Sequence, residues 1–298
     1  MNMERYTVHT IENDYLRVTA SEKGGELKSV YDKKAQRELL WQGDDRYWGD
    51  SAPNLFPYIA RLTEGKYTYQ GQSYEMKIHG FVMYSVLTCT ETEQELCFEL
   101  KSNETTRQEY PFEFVYRVRY QLNDADLKVI YEVENQDSKK MYFGIGGHPG
   151  FQVPFVDGTE FEDYYLEFGN DVKPLRVQFS NDCFVLGKEE YQELADGALS
   201  LKHNLFDEDA IVLEQTGGHV ALKCRKSPAS ISVKYENMRY VGFWHCPRTE
   251  APYVCIEPWS SLPSRKNIVE DLERQEDLNS LMPGETYQNT FCITIHSA

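Results

Sequence analysis

Short runs in which apolar and polar residues alternate recur along most of the chain. Examples cover residues 16–20 (LRVTA), 95–100 (ELCFEL) and 286–295. Successive side chains of a β-strand point to opposite faces, so this alternation is typical of strands with one buried face. Many short strands separated by polar turns predict an all-β fold, either a large antiparallel β-sandwich or a barrel.

Two pairs of these runs are separated by tight polar turns and predict β-hairpins. Residues 67–69 and 73–74 flank Gln70-Gly71-Gln72, and residues 114–122 and 127–133 flank Asn123-Asp124-Ala125-Asp126. The second half has the same character, with short strands expected at 211–213, 219–224, 231–235, 240–244 and 253–256. Helical signals are few, and short helices are expected only at 188–194 and 268–272.

The chain has 298 residues, a length that many all-β proteins fold as one unit. It contains no low-complexity linker and no fixed-period repeat. We therefore expect a single domain over residues 1–298. Monomer and homodimer both remain open, because nothing in the sequence reports the oligomeric state.

The formal net charge is −17, and this acidity argues against nucleic acid or an anionic membrane as a partner. The N-terminal residues MNMERYTVHT lack the apolar core of a signal peptide, and no run approaches the roughly 20 apolar residues of a membrane span. The seven cysteines form no CxxC pair, so we expect free thiols in a reducing compartment. These features predict a soluble, cytoplasmic protein.

Three segments interrupt the strand-and-turn pattern with residues that strands alone do not need. The first is 52–62 (APNLFPYIARL) together with 77–81 (KIHGF). The second is 143–151 (FGIGGHPGF), and the third is 253–261 (YVCIEPWSS). We interpret these segments as the source of a functional site.

In the second segment, glycines and a proline surround His148. Glycine permits positive φ and close approach of the backbone to a ligand, and Pro149 restricts the conformation of the residue before it. This context predicts a histidine held on a constrained turn, which suits acid–base chemistry near neutral pH. The alternative is a histidine in a purely structural turn.

In the third segment, Glu257 follows an apolar strand and precedes Pro258-Trp259. A carboxylate at the end of a buried strand loses hydration, which raises its pKa toward the range useful for a general base. Trp259 offers an apolar face beside it. The alternative is a solvated glutamate at a strand exit.

Taken together, the segments resemble the aldose 1-epimerase (galactose mutarotase) family, and particularly its bacterial LacX-like members. The similarity runs along most of the chain, through the motifs Gly24-Gly25-Glu26-Leu27, Asn54-Leu55-Phe56-Pro57, His79-Gly80-Phe81, Gly147-His148-Pro149 and Cys255-Ile256-Glu257-Pro258-Trp259. The resemblance implies a large β-sandwich and interconversion of the α and β anomers of a free aldohexose.

The resemblance also implies roles for individual residues. His148 is similar to the general acid that protonates the ring oxygen, and Glu257 to the general base that takes the anomeric hydroxyl proton. Arg61 and His79 are similar to the residues that hold the sugar near these atoms. Asp209, or else Asp207, matches an acidic residue that binds ring hydroxyls.

Other side chains are weaker candidates for the pocket. Trp244 and His245 precede the Glu257 strand and could line it, as could Trp48 and Phe81. His203 and His219 are expected to be solvated. No cofactor is expected, because anomer exchange transfers neither electrons nor a group. No metal is expected either, because no histidine spacing matches a metal motif.

Three alternatives remain open. A non-catalytic carbohydrate-binding protein would need neither His148 nor Glu257. A glycoside hydrolase would use two carboxylates flanking the bond, whereas one carboxylate and one histidine stand out here. A hexose-6-phosphate 1-epimerase would need additional basic residues, for which Arg225, Arg239 and Arg248 are the available candidates.

Overall fold

The computed structural model describes residues 6–169 and 171–297, most of which lie in short antiparallel strands and the turns between them. The strands are β1 (Val8–Glu12), β2 (Leu16–Ser21), β3 (Leu27–Asp32), β4 (Arg37–Glu38), β5 (Asn54–Leu55), β6 (Lys66–Tyr69), β7 (Gln72–Glu75), β8 (Thr88–Glu91), β9 (Glu95–Lys101), β10 (Phe114–Asn123), β11 (Asp126–Asn135), β12 (Met141–Phe143), β13 (Gly146–Gly147), β14 (Gly150–Gln152), β15 (Tyr164–Glu167), β16 (Leu175–Phe179), β17 (Val185–Glu190), β18 (Ala198–Ser200), β19 (Ile211–Glu214), β20 (His219–Cys224), β21 (Ser227–Lys234), β22 (Tyr240–Trp244), β23 (Tyr253–Trp259), β24 (Glu270–Asp271), β25 (Asn279–Leu281) and β26 (Thr286–His296). The helical turns are one α-helix, α1 (Glu104–Glu109), and the 3₁₀ turns Thr63–Gly65, Val82–Tyr84, Phe161–Asp163 and His203–Phe206.

Two large sheets dominate the architecture. One runs β18-β15-β20-β21-β26-β11-β10-β9-β8, and the other runs β17-β16-β19-β22-β23-β13-β5, with β14 also paired to β23. The sheets pack face to face, since a Cβ placed on Gly147 of β13 would lie 2.9 Å from the Tyr131 hydroxyl of β11. A core rich in Phe and Tyr fills the space between them. The expected all-β sandwich is confirmed.

Both predicted hairpins are present. Strands β6 and β7 pair with Tyr69 opposite Gln72, and β10 and β11 pair with Asn123 opposite Asp126. The strands expected in the second half also form, some of them one to three residues longer than predicted. All seven cysteines are free thiols, as expected. No helix among the described residues has the length and apolarity needed to cross a membrane.

Both predicted short helices are wrong. Residues 185–190 form β17, which pairs with β16 along its whole length, and Lys188 there forms an ion pair with Glu214 on β19. In the other segment, Glu270 and Asp271 form β24, which runs parallel to β6. The buried Glu270 carboxylate binds both the backbone and the guanidinium of Arg265, so tertiary pairing overrides the local helical preference.

The α-helix lies at 104–109, where none was predicted. Its N-cap is Asn103, whose side chain accepts hydrogen bonds from the backbone N–H groups of Thr105 and Thr106. The Thr106 hydroxyl in turn accepts from the Asn103 N–H, which completes a capping box. The sequence signal for this helix was therefore the Asn-x-x-Thr cap rather than an apolar periodicity.

A buried asparagine joins the two large sheets. Asn54 on β5 is 2% exposed, and its amide donates to the carbonyls of Gly24 and Gly25 and to the Tyr120 hydroxyl. Its side-chain oxygen accepts from the Tyr131 hydroxyl at 2.8 Å. The Asn-Leu-Phe-Pro motif thus begins with a residue whose polar atoms are fully used in fixing β5 against the opposite sheet.

We predict that Asn54→Leu lowers the free energy of unfolding by about 2–4 kcal/mol, because the substitution leaves several buried polar groups without partners. Urea unfolding measures this difference. Asn204→Leu, at an exposed position, is the matched control and should change stability by less than about 0.5 kcal/mol. Equal effects from the two variants would contradict the assigned role of Asn54.

Candidate active site

One pocket brings together the six main candidate residues of the sequence analysis. Its volume is about 290 Å³, at the small end of ligand pockets and suited to a molecule of one-ring size. It lies beside the eight-stranded sheet, where β22 and β23 meet the loops that follow β5 and precede β19. The predicted residues on its walls are Arg61, His79, His148, Asp209, Trp244 and Glu257.

His148 lies between β13 and β14, outside any strand ladder, as the sequence predicted. Its backbone N–H donates to the Pro53 carbonyl at 3.0 Å. The surrounding glycines do not have the positive φ that glycine permits. They are needed for close packing instead: a Cβ on Gly146 would lie 2.7 Å from the Pro258 carbonyl oxygen, so β13 can approach β23 only without one.

Glu257 lies in the middle of a fully buried strand, β23, with 1% of its surface exposed. The alternative of a solvated glutamate at a strand exit is therefore wrong. Its Oε2 atom lies 3.1 Å from His148 Nε2. The two atoms are not aligned as a hydrogen bond, and Glu257 Oε2 and His148 Nδ1 are both buried without a hydrogen-bond partner among the described residues. The two side chains are therefore close together, and each has a polar atom that is still free to form a hydrogen bond.

Burial shifts the two titrations in opposite directions. It raises the pKa of Glu257 well above its ordinary value, with a further contribution from the negative charge of Asp209. It lowers the pKa of His148 well below its ordinary value, with a smaller contribution from His79. In both cases the cause is that the charged form loses its hydration. Opposite shifts of two neighbouring groups are typical of acid–base sites.

His79 is held by reciprocal hydrogen bonds with Ala60. Its ring Nδ1 accepts from the Ala60 N–H at 3.1 Å, and its own backbone N–H donates to the Ala60 carbonyl at 2.9 Å. The neutral ring therefore carries its proton on Nε2, which is available as a donor. Burial and the charge of Arg61 lower the pKa of His79 to about 4. His79 is thus a neutral hydrogen-bond donor near pH 7.

Arg61 supplies positive charge at the pocket mouth. Its backbone carbonyl accepts from the Ser264 N–H at 3.0 Å, which anchors the segment. Its side chain is exposed, and within residues 6–169 and 171–297 its guanidinium makes no hydrogen bond or ion pair. The guanidinium donors are therefore free for a ligand.

Asp209 reaches the pocket from the loop before β19. Its carboxylate accepts from the Cys183 thiol at 2.6 Å and from the Ala210 N–H at 2.9 Å. The second candidate, Asp207, does not line this pocket, and its carboxylate accepts from the Arg248 N–H instead. Of these two candidates, Asp209 is the one that lines the pocket.

Unusual backbone geometry is concentrated around the pocket. Ala60, His79, Cys183 and Asp209 all line it, and all have φ between 53° and 85°. Residues other than glycine seldom adopt this left-handed region, which costs on the order of 1 kcal/mol or more for each. Such strain is retained where the surrounding structure fixes a functional geometry.

Aromatic rings form the wall around His148. Trp48 lies with its ring centroid 4.8 Å from that of His148, and Trp244 contacts it edge-on at 5.7 Å. Of the two other aromatic residues that could line the pocket, Trp48 does so, whereas Phe81 is buried in the main core. His245 does not line the pocket either.

His245 is fully buried beside His203. The two rings approach at 3.3 Å, and His203 also stacks on Phe161. His203 is therefore partly buried, and the expectation of a solvated side chain is wrong for it. His219 is exposed, as expected.

The walls also include residues that the sequence analysis did not select. Asp50, Met83, Tyr84 and Cys183 line the pocket. Asp50 and Cys183 lie in loops without a distinctive motif. Only the position of Asp50, shortly before the Asn54 motif, gave a signal that could have found it.

One group of side chains has the composition of a metal site. The ligand atoms of His148, Cys255 and Glu257 lie within 4.8 Å of one another. Two of these residues are the acid–base candidates themselves, and all three are largely buried. The expectation that the chain needs no metal stays a prediction.

A family model described as aldose 1-epimerase matches residues 7–293. The chain belongs to this family. The protein LacX of Lactococcus lactis subsp. lactis, plasmid form, is 31% identical over 296 residues, which cover 96% of this chain and 98% of LacX. The resemblance predicted from the sequence motifs is confirmed.

Solved structures of other aldose epimerase relatives have the same fold. A galactose mutarotase related enzyme from Lactobacillus acidophilus is 35% identical, with a TM-score of 0.93 over 98% of each chain. A galactose mutarotase-like protein from Lactobacillus casei is 28% identical, with a TM-score of 0.92 over 97% of this chain and 100% of that one. These similarities extend over the whole sandwich rather than a single motif.

The buried His245 predicts a loss of stability in acid. Burial lowers its pKa to about 4, so the folded state gives up the proton that the unfolded chain holds below about pH 6.5. The stability present above that pH is lost as the pH falls toward 4. We expect His245→Asn to reduce the stability difference between pH 7 and pH 5 by about 1–2 kcal/mol, measured by urea unfolding at both pH values. An unchanged difference would contradict this assignment.

Proposed function

We propose that this protein is an aldose 1-epimerase that interconverts the α and β anomers of a free aldohexose. The observation that supports this most strongly is the buried pair, with His148 Nε2 3.1 Å from Glu257 Oε2 at the base of a small pocket. The family assignment supports the reaction class. Arg61, His79 and Asp209 supply the donors and acceptor that a polar sugar ring requires.

Ring opening needs two proton transfers. Glu257 takes the proton from the C1 hydroxyl while protonated His148 gives a proton to the ring oxygen, and the bond between C1 and the ring oxygen breaks. Rotation about the C1–C2 bond then exposes the other face of the aldehyde. Closure reverses both proton transfers and yields the other anomer. No proton is gained or lost in the complete cycle.

The pair therefore works with a single proton. Before opening, that proton is on His148; after opening, it is on Glu257. Desolvation favours the state in which both groups are neutral, and this is the state that accompanies the open-chain sugar. The pocket thus lowers the free energy of the open intermediate relative to the same reaction in water.

The remaining polar residues orient the sugar and respond to developing charge. Arg61 places fixed positive charge beside the oxygen that becomes negative as the hydroxyl loses its proton. His79 donates a hydrogen bond from Nε2, and because of its low pKa it does not take up the catalytic proton. Asp209 accepts from ring hydroxyls, and its charge helps to keep Glu257 basic.

We expect His148→Ala and Glu257→Gln each to reduce the rate of anomer exchange by about 10²–10⁴-fold, because each removes one of two positioned proton transfers. Polarimetry on freshly dissolved α-glucose and α-galactose measures the rate. His219→Ala and Glu189→Gln, both at exposed positions, are the matched controls and should retain full activity. Wild-type rates in either pocket variant would refute the mechanism.

The rate should follow a bell-shaped pH profile, since only the pair with one proton is active. The rate falls in acid when His148 and Glu257 are both protonated, and in alkali when the pair loses its last proton. The lowered pKa of His148 moves the acid limb below pH 6.5, and the raised pKa of Glu257 moves the alkaline limb well above pH 4.5. A monotonic profile would contradict a shared proton.

A further inference from the structure

Asp50 is a carboxylate in the pocket with no partner in the protein. It lines the same cavity as the acid–base pair and is half-buried. Within residues 6–169 and 171–297 it makes no hydrogen bond and no ion pair, unlike the buried carboxylates of Glu26, Glu214 and Glu270. Burying a charge without a partner is costly, so a ligand that supplies donors would be favoured there.

The position of Asp50 is fixed by its neighbours. The Glu26 carboxylate accepts from the backbone N–H groups of Ser51 and Ala52, at 2.7 and 3.1 Å. These hydrogen bonds fix the backbone directly after Asp50, while the Asp50 side chain lines the pocket. Burial and the nearby charge of Glu26 raise the pKa of Asp50. The carboxylate is thus held by the fold rather than by a bond of its own.

Asp50 and Asp209 enter the pocket from different segments. Asp209 comes from the loop before β19 and is bound by Cys183, whereas Asp50 comes from the loop before β5 and lies near Tyr84. Each carboxylate can accept from two hydroxyl groups. Two such acceptors from separate segments of one pocket can bind hydroxyls at different positions of one sugar ring.

The charges of the residues that line the pocket disfavour a phosphorylated substrate. Of the described residues that line the pocket, Arg61 is the one Lys or Arg, against the carboxylates of Asp50, Asp209 and Glu257. A phosphate carries a charge of about −1.5 to −2 near pH 7 and binds best where several cationic donors meet. An unpaired carboxylate in the same pocket repels it.

We propose that Asp50 is a second hydroxyl-binding residue, and that it makes the pocket selective for uncharged aldoses over sugar phosphates. This inference rests on the proposed function, because it takes a sugar to be the ligand. Asp50 touches hydroxyls away from the reacting atoms, so it determines specificity and does not transfer the catalytic proton.

The test measures affinity and exchange separately for a panel of sugars. The panel is glucose, its 2-, 3-, 4- and 6-deoxy analogues, and glucose 6-phosphate. Binding is followed by quenching of tryptophan fluorescence, which Trp48 and Trp244 at the pocket walls report. Exchange is followed by NMR. The proteins are the wild type, Asp50→Asn, Asp50→Ala and the control Asp45→Asn, an exposed carboxylate in the same loop that does not line the pocket.

We expect Asp50→Asn to weaken glucose binding about 10–100-fold and to leave at least one deoxy analogue bound as well as by the wild type, because that analogue lacks the hydroxyl concerned. The wild type should bind glucose 6-phosphate at least about 10-fold more weakly than glucose. In both Asp50 variants this difference in affinity should be smaller. The pH profile of exchange should keep both limbs, and Asp45→Asn should match the wild type.

Equal weakening for every sugar, or no weakening at all, would overturn the role of Asp50. Tight binding of glucose 6-phosphate by the wild type would also overturn it. This measurement uses the wild type alone, so it does not depend on whether a variant folds. If the wild type binds sugars with the expected selectivity but accelerates no exchange, the proposed function fails and the assignment of Asp50 stands.

Discussion

The loss of hydration at His148 and Glu257 is the interaction on which the rest of the site depends. Two ionisable side chains, one of which can be cationic and the other anionic, lie 3.1 Å apart and almost fully buried. The charged form of each would carry a large desolvation cost, and in the proposed mechanism the pair shares one proton, which His148 gives to the sugar and Glu257 receives from it. Anomer exchange requires a base and an acid side by side, because ring opening removes a proton from the C1 hydroxyl and adds a proton to the ring oxygen.

The sandwich supports this pair through short and rigid connections. Glu257 lies in a central strand of the eight-stranded sheet, and His148 lies between two short strands that both pair with that strand. Gly146 lets these backbones approach closely, and Asn54 fixes the adjacent strand to the opposite sheet. The candidate acid and base are therefore placed by the most buried part of the fold, whereas His79 and Asp209, two of the proposed sugar contacts, have strained backbone outside the strands.

Local patterns predicted the strands and the turns well, because a hairpin needs only a two-residue period and a turn. The same reasoning failed at 188–194 and 268–272, where pairing with distant strands and the ion pairs of Lys188 and Glu270 decide the structure. Motifs with unusual composition led to the acid–base pair. They did not identify the thiol that binds Asp209, and for Asp50 the only signal was its position before the Asn54 motif, since both contacts depend on how separate loops meet in space.

In the proposed reaction the protein moves protons between the C1 hydroxyl and the ring oxygen and breaks no glycosidic bond. Exchange NMR on the wild-type protein with a panel of free aldoses and their methyl glycosides tests this directly. We expect faster exchange between the α and β signals of at least one free aldose, while its methyl glycoside, which has no C1 hydroxyl proton, stays unchanged. Unaccelerated exchange for every aldose, or release of methanol from a glycoside, would contradict the account.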